Sequence, residues 1–178
     1  MNRSNAGFTL LELIITITVI VLLVALALPN AQTMINRNRL VAKTNDIVTA
    51  INLARSEAVT RAANAGACPS ADGAICSAGD WDLGWIVWVD ANGDAAYTPG
   101  EEVRVSNIAS SGNVNERVTV VAGGNVNNGI TFTPLGMTTL AGPGIFTLTH
   151  TNAMQNRQIT VSPFGQITTV CAGAACPP

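Results

Sequence analysis

The chain has 178 residues, of which 48% are hydrophobic but only 4% aromatic and 11% charged, with a formal net charge of -2. That length suits one ordinary domain plus an extra element, and a single histidine, His150, excludes a His-based metal or catalytic cluster. The small net charge hides an asymmetry. Over residues 30–62 five cations (Arg37, Arg39, Lys43, Arg55, Arg61) stand against Asp46 and Glu57, a net +3. From residue 63 onward Arg104, Arg117 and Arg157 face Asp72, Asp80, Asp82, Asp90, Asp94, Glu101, Glu102 and Glu116, a net -5.

A short polar leader, MNRSNAG, precedes a run from Phe8 to Leu28 in which every residue but Glu12 is apolar or threonine. As a helix this run reaches roughly 30 Å, one hydrocarbon core. A secretory signal would be shorter and end in a small-residue cleavage site, which Ala25-Leu26-Ala27 imitates. A plain anchor accounts for the length but not for the acid. A carboxylate inside a bilayer costs a few kcal/mol and is retained for a reason, unless it simply lies at the interface. Arg3 in the leader keeps the N-terminus on the cytoplasmic side. Pro29 closes the run and is expected to kink or interrupt the helix, because it lacks a backbone donor and crowds the preceding turn.

The stretch Gly7-Phe8-Thr9-Leu10-Leu11-Glu12 between leader and apolar helix resembles the type IV prepilin signal. The resemblance implies cleavage between Gly7 and Phe8 by a membrane prepilin peptidase, N-methylation of Phe8, and retention of the apolar helix. It also gives Glu12 a purpose. The new ammonium group of Phe8 would sit in an apolar environment, and a carboxylate from a neighbouring subunit would spare both charges an unpaired burial. On that reading Glu12 sets the axial register of one subunit against the next.

From Ala31 to about Ala63 the pattern stays helical, with Leu40, Ile47, Ile51, Ala54 and Ala58 on one stripe of period near 3.6. The five cations fall largely off that stripe, as a solvated face would, or as a basic stem set against acidic heads. Gly66 and Pro69 read as a helix stop and turn. Seven strand-length segments follow, punctuated by Gly, Asn and Pro: GWIVWVD, EEVRVSNI, ERVTVVAG, NGITFTP, GIFTLTHT, RQITVSPFG and QITTVC. Regular alternation, as from Arg157 to Val161, predicts antiparallel strands with one buried face. The fold class is therefore α+β: a long N-terminal helix whose C-terminal half packs on an antiparallel β-sheet head.

LARSEAVTRA, a cysteine, and DLGWIVWVDANGDAAYTPGEEVRV together resemble the GspH/FimT-like minor pilins and pseudopilins, most closely up to about Ser106. The implied organisation is a leader at 1–7, a transmembrane and assembly helix at 8–29, an amphipathic stem at 30–63 and a β-rich head at 64–178, the type IV pilin fold. The implied role is structural and not enzymatic: a minor pilin that primes or caps pilus assembly, or alternatively a minor pseudopilin of a type II secretion system or a DNA-uptake subunit at a pilus tip. Implied partners are other minor and major pilins, the prepilin peptidase and the inner-membrane assembly platform. The implied location is the inner membrane with the head in the periplasm, then the pilus or pseudopilus. DNA-uptake members would carry arginines after a glycine near the C-terminus. Here Gln166 follows Gly165, no cation follows Arg157, and the head is acidic, which argues against direct DNA binding.

Cys68, Cys76, Cys171 and Cys176 all lie beyond the apolar helix, in an oxidising compartment if Arg3 is cytoplasmic. Three pairings exist. Short loops close easily and favour 68–76 with 171–176, and a bridge from the helix-end loop to the C-terminus competes. The spacing does not suit zinc. Asp90, Asn92, Asp94, Thr98 and Glu101 occupy positions one, three, five, nine and twelve of a calcium-loop spacing, but Ala95 stands where that loop needs glycine. The plainer reading is a polar Asn-Gly connection between two strands, with no cofactor. Trp81, Trp85 and Trp88 read as core, and His150 as a strand residue near a turn.

Overall fold

The computed structural model describes residues 9–79, 81–106, 118–150, 153, 155–172 and 176, with the side chains of 26–31 and 172 outside the description. One α-helix, α1 (Leu10–Arg61), carries 52 residues. It passes position 29 without interruption; proline removes a single backbone donor there, and helical turns continue on both sides. The chain divides into two units, one ending at Ile35 and the other beginning at Asn36.

In the first unit, Leu10, Leu11, Leu13, Ile14, Ile15, Ile17 and the apolar residues from Val19 to Val24 are each 49–76% exposed. Nothing among the described residues covers them. The two threonines among them bond back to the helix: Thr16 Oγ1 donates to Leu13 O at 2.9 Å and Thr18 Oγ1 to Ile14 O at 2.6 Å. Their hydroxyls are thus satisfied without solvent, so the surface stays effectively apolar.

Among the described residues the second unit holds the rest of α1 and eight strands: β1 (Ala65–Pro69), β2 (Trp85–Val89), β3 (Glu102–Val105), β4 (Thr119–Ala122), β5 (Ile130–Phe132), β6 (Gly144–Thr149), β7 (Asn156–Val161) and β8 (Ile167–Ala172). They form two four-stranded sheets, β3-β2-β1-β5 and β4-β6-β7-β8, with every pairing antiparallel. The stripe predicted for the stem is the floor of the core: Leu40, Ile47, Ile51, Ala54 and Ala58 are fully buried. They pack with Trp81, Val87, Phe132, Phe146, Leu148, Ile159 and Val161, drawn from both sheets and the loop before β2. Each large aliphatic side chain buried there contributes about 1.5–3 kcal/mol. Trp81 sits edge-on to Phe146, ring centroids 5.0 Å apart, and its indole N–H donates to Val126 O at 3.0 Å.

All seven predicted strands are present, and β1 is additional. The segment around Gly66 and Pro69 is a strand, not a stop and turn. The helix ends earlier, at Arg61, and Ala62 with its φ of 51° turns the chain out of α1. Gly66 is required by close approach: a Cβ there would lie 2.7 Å from Ile130 O and 2.8 Å from the Trp88 ring. Pro69 is the last residue of β1, where a missing donor is tolerated. All five residues of β2 are buried because this strand is covered on both faces. Trp85, Val87 and Val89 face the main core, while Ile86 and Trp88 pack with Cys68 and Tyr97 in a second cluster.

Two stem cations belong to the packing and not to a solvated face. Lys43 Nζ lies 4.4 Å from the Trp85 ring centroid and donates to Asp82 O at 3.3 Å. Arg55 donates from Nε to Gly136 O and from Nη1 to Gly165 O, both at 3.0 Å. Its planar fork therefore ties α1 to the turn after β5 and to the turn joining β7 and β8.

Candidate functional site at the helix N-terminus and head loops

Gly7 and Phe8, the expected cleavage pair, lie outside the described residues, as do Arg3 and the leader. Glu12 is in the first turn of α1 and exposed. Its backbone N–H donates to Thr9 Oγ1 at 3.2 Å, and Leu13 N–H donates to Thr9 O at 3.2 Å. Thr9 is thus the N-cap and Glu12 the third helical position, the Thr-x-x-Glu arrangement of a capping box. An acid here also complements the helix dipole. Glu12 therefore has a local reason to exist beside the intermolecular one, and the Thr9–Glu12 spacing shows it in the sequence. Among the described residues no helix is long and apolar enough to cross a membrane. The apolar run from Phe8 to Leu28 extends beyond the described side chains at both ends.

The Asp90 loop links β2 to β3, as a polar connection between those strands should. Asp90 Oδ1 accepts from the N–H of Gly93 at 2.6 Å and of Asp94 at 3.2 Å, while Oδ2 accepts from Ala95 N–H at 2.9 Å. Burial works to raise the Asp90 carboxyl, but the N–H groups of Ala95, Gly93 and Asp94 and the Asn64 amide outweigh it and hold it below the usual carboxylate range. Glu101 closes the loop: Oε1 accepts from Ala91 N–H at 2.8 Å and Oε2 from Thr98 N–H at 2.9 Å. Asn92 Nδ2 donates to Asp94 Oδ2 at 3.0 Å and to Thr98 Oγ1 at 3.1 Å. Ala95 adopts a φ of 63°, so the sharp turn that normally calls for glycine is made by alanine. Among the described residues no group of three or more His, Cys, Asp or Glu side chains is placed to hold a metal ion.

The structure pairs Cys68 with Cys76 and Cys171 with Cys176. The first bridge fastens the loop after β1. Tyr97, on the Asp90 loop, donates its hydroxyl to Ala74 O at 3.0 Å, so the bridged loop and the acidic loop brace each other. His150 is buried at the end of β6, where its carbonyl accepts from Ala153 N–H at 3.1 Å.

Comparison with known proteins decides what this arrangement belongs to. The family model described as type II transport protein GspH matches residues 43–165, more than half of the chain. The chain belongs to the GspH family. The prokaryotic N-terminal methylation motif matches residues 2–28 of this GspH-family chain and spans the expected cleavage pair and Glu12. The chain is 28% identical over 165 residues to the pilin-like protein PilA1 of Thermus thermophilus, covering 92% of this chain and 97% of that protein. Two crystal structures of the type IV minor pilin FimU of Pseudomonas aeruginosa PAO1 share the fold with a TM-score of 0.54 each. Their identities are 18% and 20%, covering 72% and 74% of this chain and 90% and 88% of theirs.

The chain is thus a type IV pilin-like protein with the type IV pilin fold, and a structural protein, not an enzyme. Membership implies processing by a prepilin peptidase and assembly with other pilins, and the N-terminal motif points to the inner membrane and then a pilus. The Arg55 fork escapes a reading of the sequence by period alone. Its signal is legible all the same: Thr133-Pro134-Leu135-Gly136 and Ser162-Pro163-Phe164-Gly165 repeat one turn pattern, and a single residue serves both.

Proposed function

We propose that this GspH-family chain is a minor type IV pilin, cut between Gly7 and Phe8, methylated on Phe8 and built into the tip or priming complex of a pilus through its N-terminal helix. The observation that carries the reading is the matched methylation motif leading into a helix whose apolar side chains stand uncovered from Leu10 to Val24. Such a surface needs lipid before assembly and other helices after it. Glu12 neutralises the Phe8 ammonium of a neighbour, and its exposure at the helix start leaves the carboxylate available for that partner. The role as proposed calls for no cofactor, and the Asp90 and Glu101 carboxylates accept from N–H groups of their own loop. A rise in the melting temperature of the head on adding calcium would contradict that.

Deletion of the chain in its host, with a complemented strain alongside, tests the proposal by counting surface pili. Loss of pili restored by complementation supports a priming or stabilising role. Unchanged pili favour the second reading, a minor pseudopilin of a type II secretion system, for which the GspH match over residues 43–165 speaks. Exoprotein assays then decide, and transformation assays address DNA uptake. Glu12→Val should leave cleavage intact and lower recovery in filaments; normal recovery would remove the charge-pairing account.

A further inference from the structure

The two turns held by Arg55 are built alike. In Thr133-Pro134-Leu135-Gly136 the Gly136 N–H donates to Thr133 O at 2.8 Å, and in Ser162-Pro163-Phe164-Gly165 the Gly165 N–H donates to Ser162 O at 2.9 Å. Both glycines take a positive φ, 74° and 77°, and both offer their carbonyl to Arg55. Two residues past the first turn, Thr138 N–H donates to Pro163 O in the second at 2.8 Å. Turn tips ordinarily carry polar or small residues. Here the third position of each turn is large and apolar: Leu135 is 82% and Phe164 72% exposed. Beside them Val59 on α1 is 53% and Met137 43% exposed. Val59 borders the same spot, since a Cβ on Gly136 would meet its Cγ2 at 3.2 Å.

We infer that Leu135, Phe164, Val59 and Met137 form a docking surface for an apolar, uncharged face of a different pilin-like subunit in the same assembly. The inference rests on the pilin reading above. None of the four side chains is charged, and the Arg55 beneath them already spends two donors on the glycine carbonyls. Together they expose on the order of 400 Å², within the range of surface patches that serve contacts. That is about half of the ~800 Å² per partner of a stable free-standing pair. The patch therefore needs an occupant already held close by another contact, which a filament supplies and a free homodimer does not. Proline and glycine in each turn, with the Arg55 fork below, fix the tips before contact, so little ordering cost opposes docking.

The test uses the full-length chain in its host. A photo-crosslinking benzoylphenylalanine replaces Leu135 or Phe164, with Val121, 59% exposed on β4, as the control position. Adducts at 135 and 164, but not at 121, to a second protein carrying its own prepilin-type N-terminus are expected. A homodimer, a lipid adduct, or the same yield at all three positions overturns the inference. In parallel, the double variant Leu135→Asp with Phe164→Asp should be recovered from sheared filaments at least tenfold less than wild type, with equal membrane level and unchanged thermal unfolding. Wild-type recovery of the double variant sinks the docking surface alone. Absence of the wild-type chain from filaments sinks the pilin reading and the inference with it.

Discussion

Residues 10–24 and residues 40–58 belong to one helix, yet they are stable for opposite reasons. In the later segment the apolar residues follow a stripe, and Leu40, Ile47, Ile51, Ala54 and Ala58 are fully buried beneath two sheets. In the earlier segment apolar residues occupy every face, and all are about half exposed or more. A helix apolar all round is stable only inside something else, a membrane or a bundle. The stripe folds the molecule; the uncovered segment waits for partners. Secondary structure alone does not separate the two, and the pattern of burial does.

That contrast breaks most sharply under matched substitutions. Ile51→Ala should cost the head about 2–5 kcal/mol, because it empties a fully buried site. Ile17→Ala, at a position 53% exposed, should change head stability by less than about 0.5 kcal/mol. Urea unfolding in detergent, followed by tryptophan fluorescence, reads the difference, since Trp81, Trp85 and Trp88 all lie in the second unit. Equal costs would end the comparison.

Replacing Cys68 and Cys76 together by serine should cost about 2–3 kcal/mol, from the loop-closure entropy of a short bridge. Proteolysis within the 70–76 loop and around Tyr97 should rise with it, because the Tyr97 hydroxyl leans on Ala74 O. Acid should act more gently. Asp90 is held low by N–H groups that outweigh its burial, and Asp72 by the N–H groups of Ala74 and Ile75. A carboxyl lowered on folding contributes stability that is complete above its unfolded pKa of about 4 and is lost as pH falls through the lower folded value. The urea midpoint should therefore hold between pH 7 and 5 and decline below 4, with a shallower decline in Asp90→Asn. A smaller gain is expected of Ala62→Gly. Relieving a left-handed alanine at the helix end should stabilise by roughly 0.5 kcal/mol, net of glycine's own entropy.

Much of the fold is legible in the sequence because its signals are local. The stripe from Leu40 to Ala58 follows from helical period, and the seven strand-length runs follow from their Val, Ile, Thr and aromatic content and the turn residues between them. The residues of β1 carry no such pattern. Ala-Gly-Ala-Cys-Pro becomes a strand only because β2 and β5 flank it and the Trp88 ring lies over Gly66. Arg55 reads as a surface cation, since what it holds lies 81 and 110 residues further along the chain. At the N-terminus the reading from Gly7 to Glu12 comes from a specific motif, which the methylation-motif match at residues 2–28 covers. The Thr9 cap is equally visible as Thr-x-x-Glu, yet the charge of Glu12 in an apolar run draws the eye to intermolecular pairing first.

The central claim is that this chain is a processed subunit whose uncovered helix is its assembly element. Intact mass and N-terminal sequencing of the chain recovered from its host's membranes and sheared filaments test it most directly. The account predicts a product that begins at Phe8, carries one extra methyl group and is found in both fractions. A product that still begins at Met1, or one that is cut but never enters filaments, would contradict it.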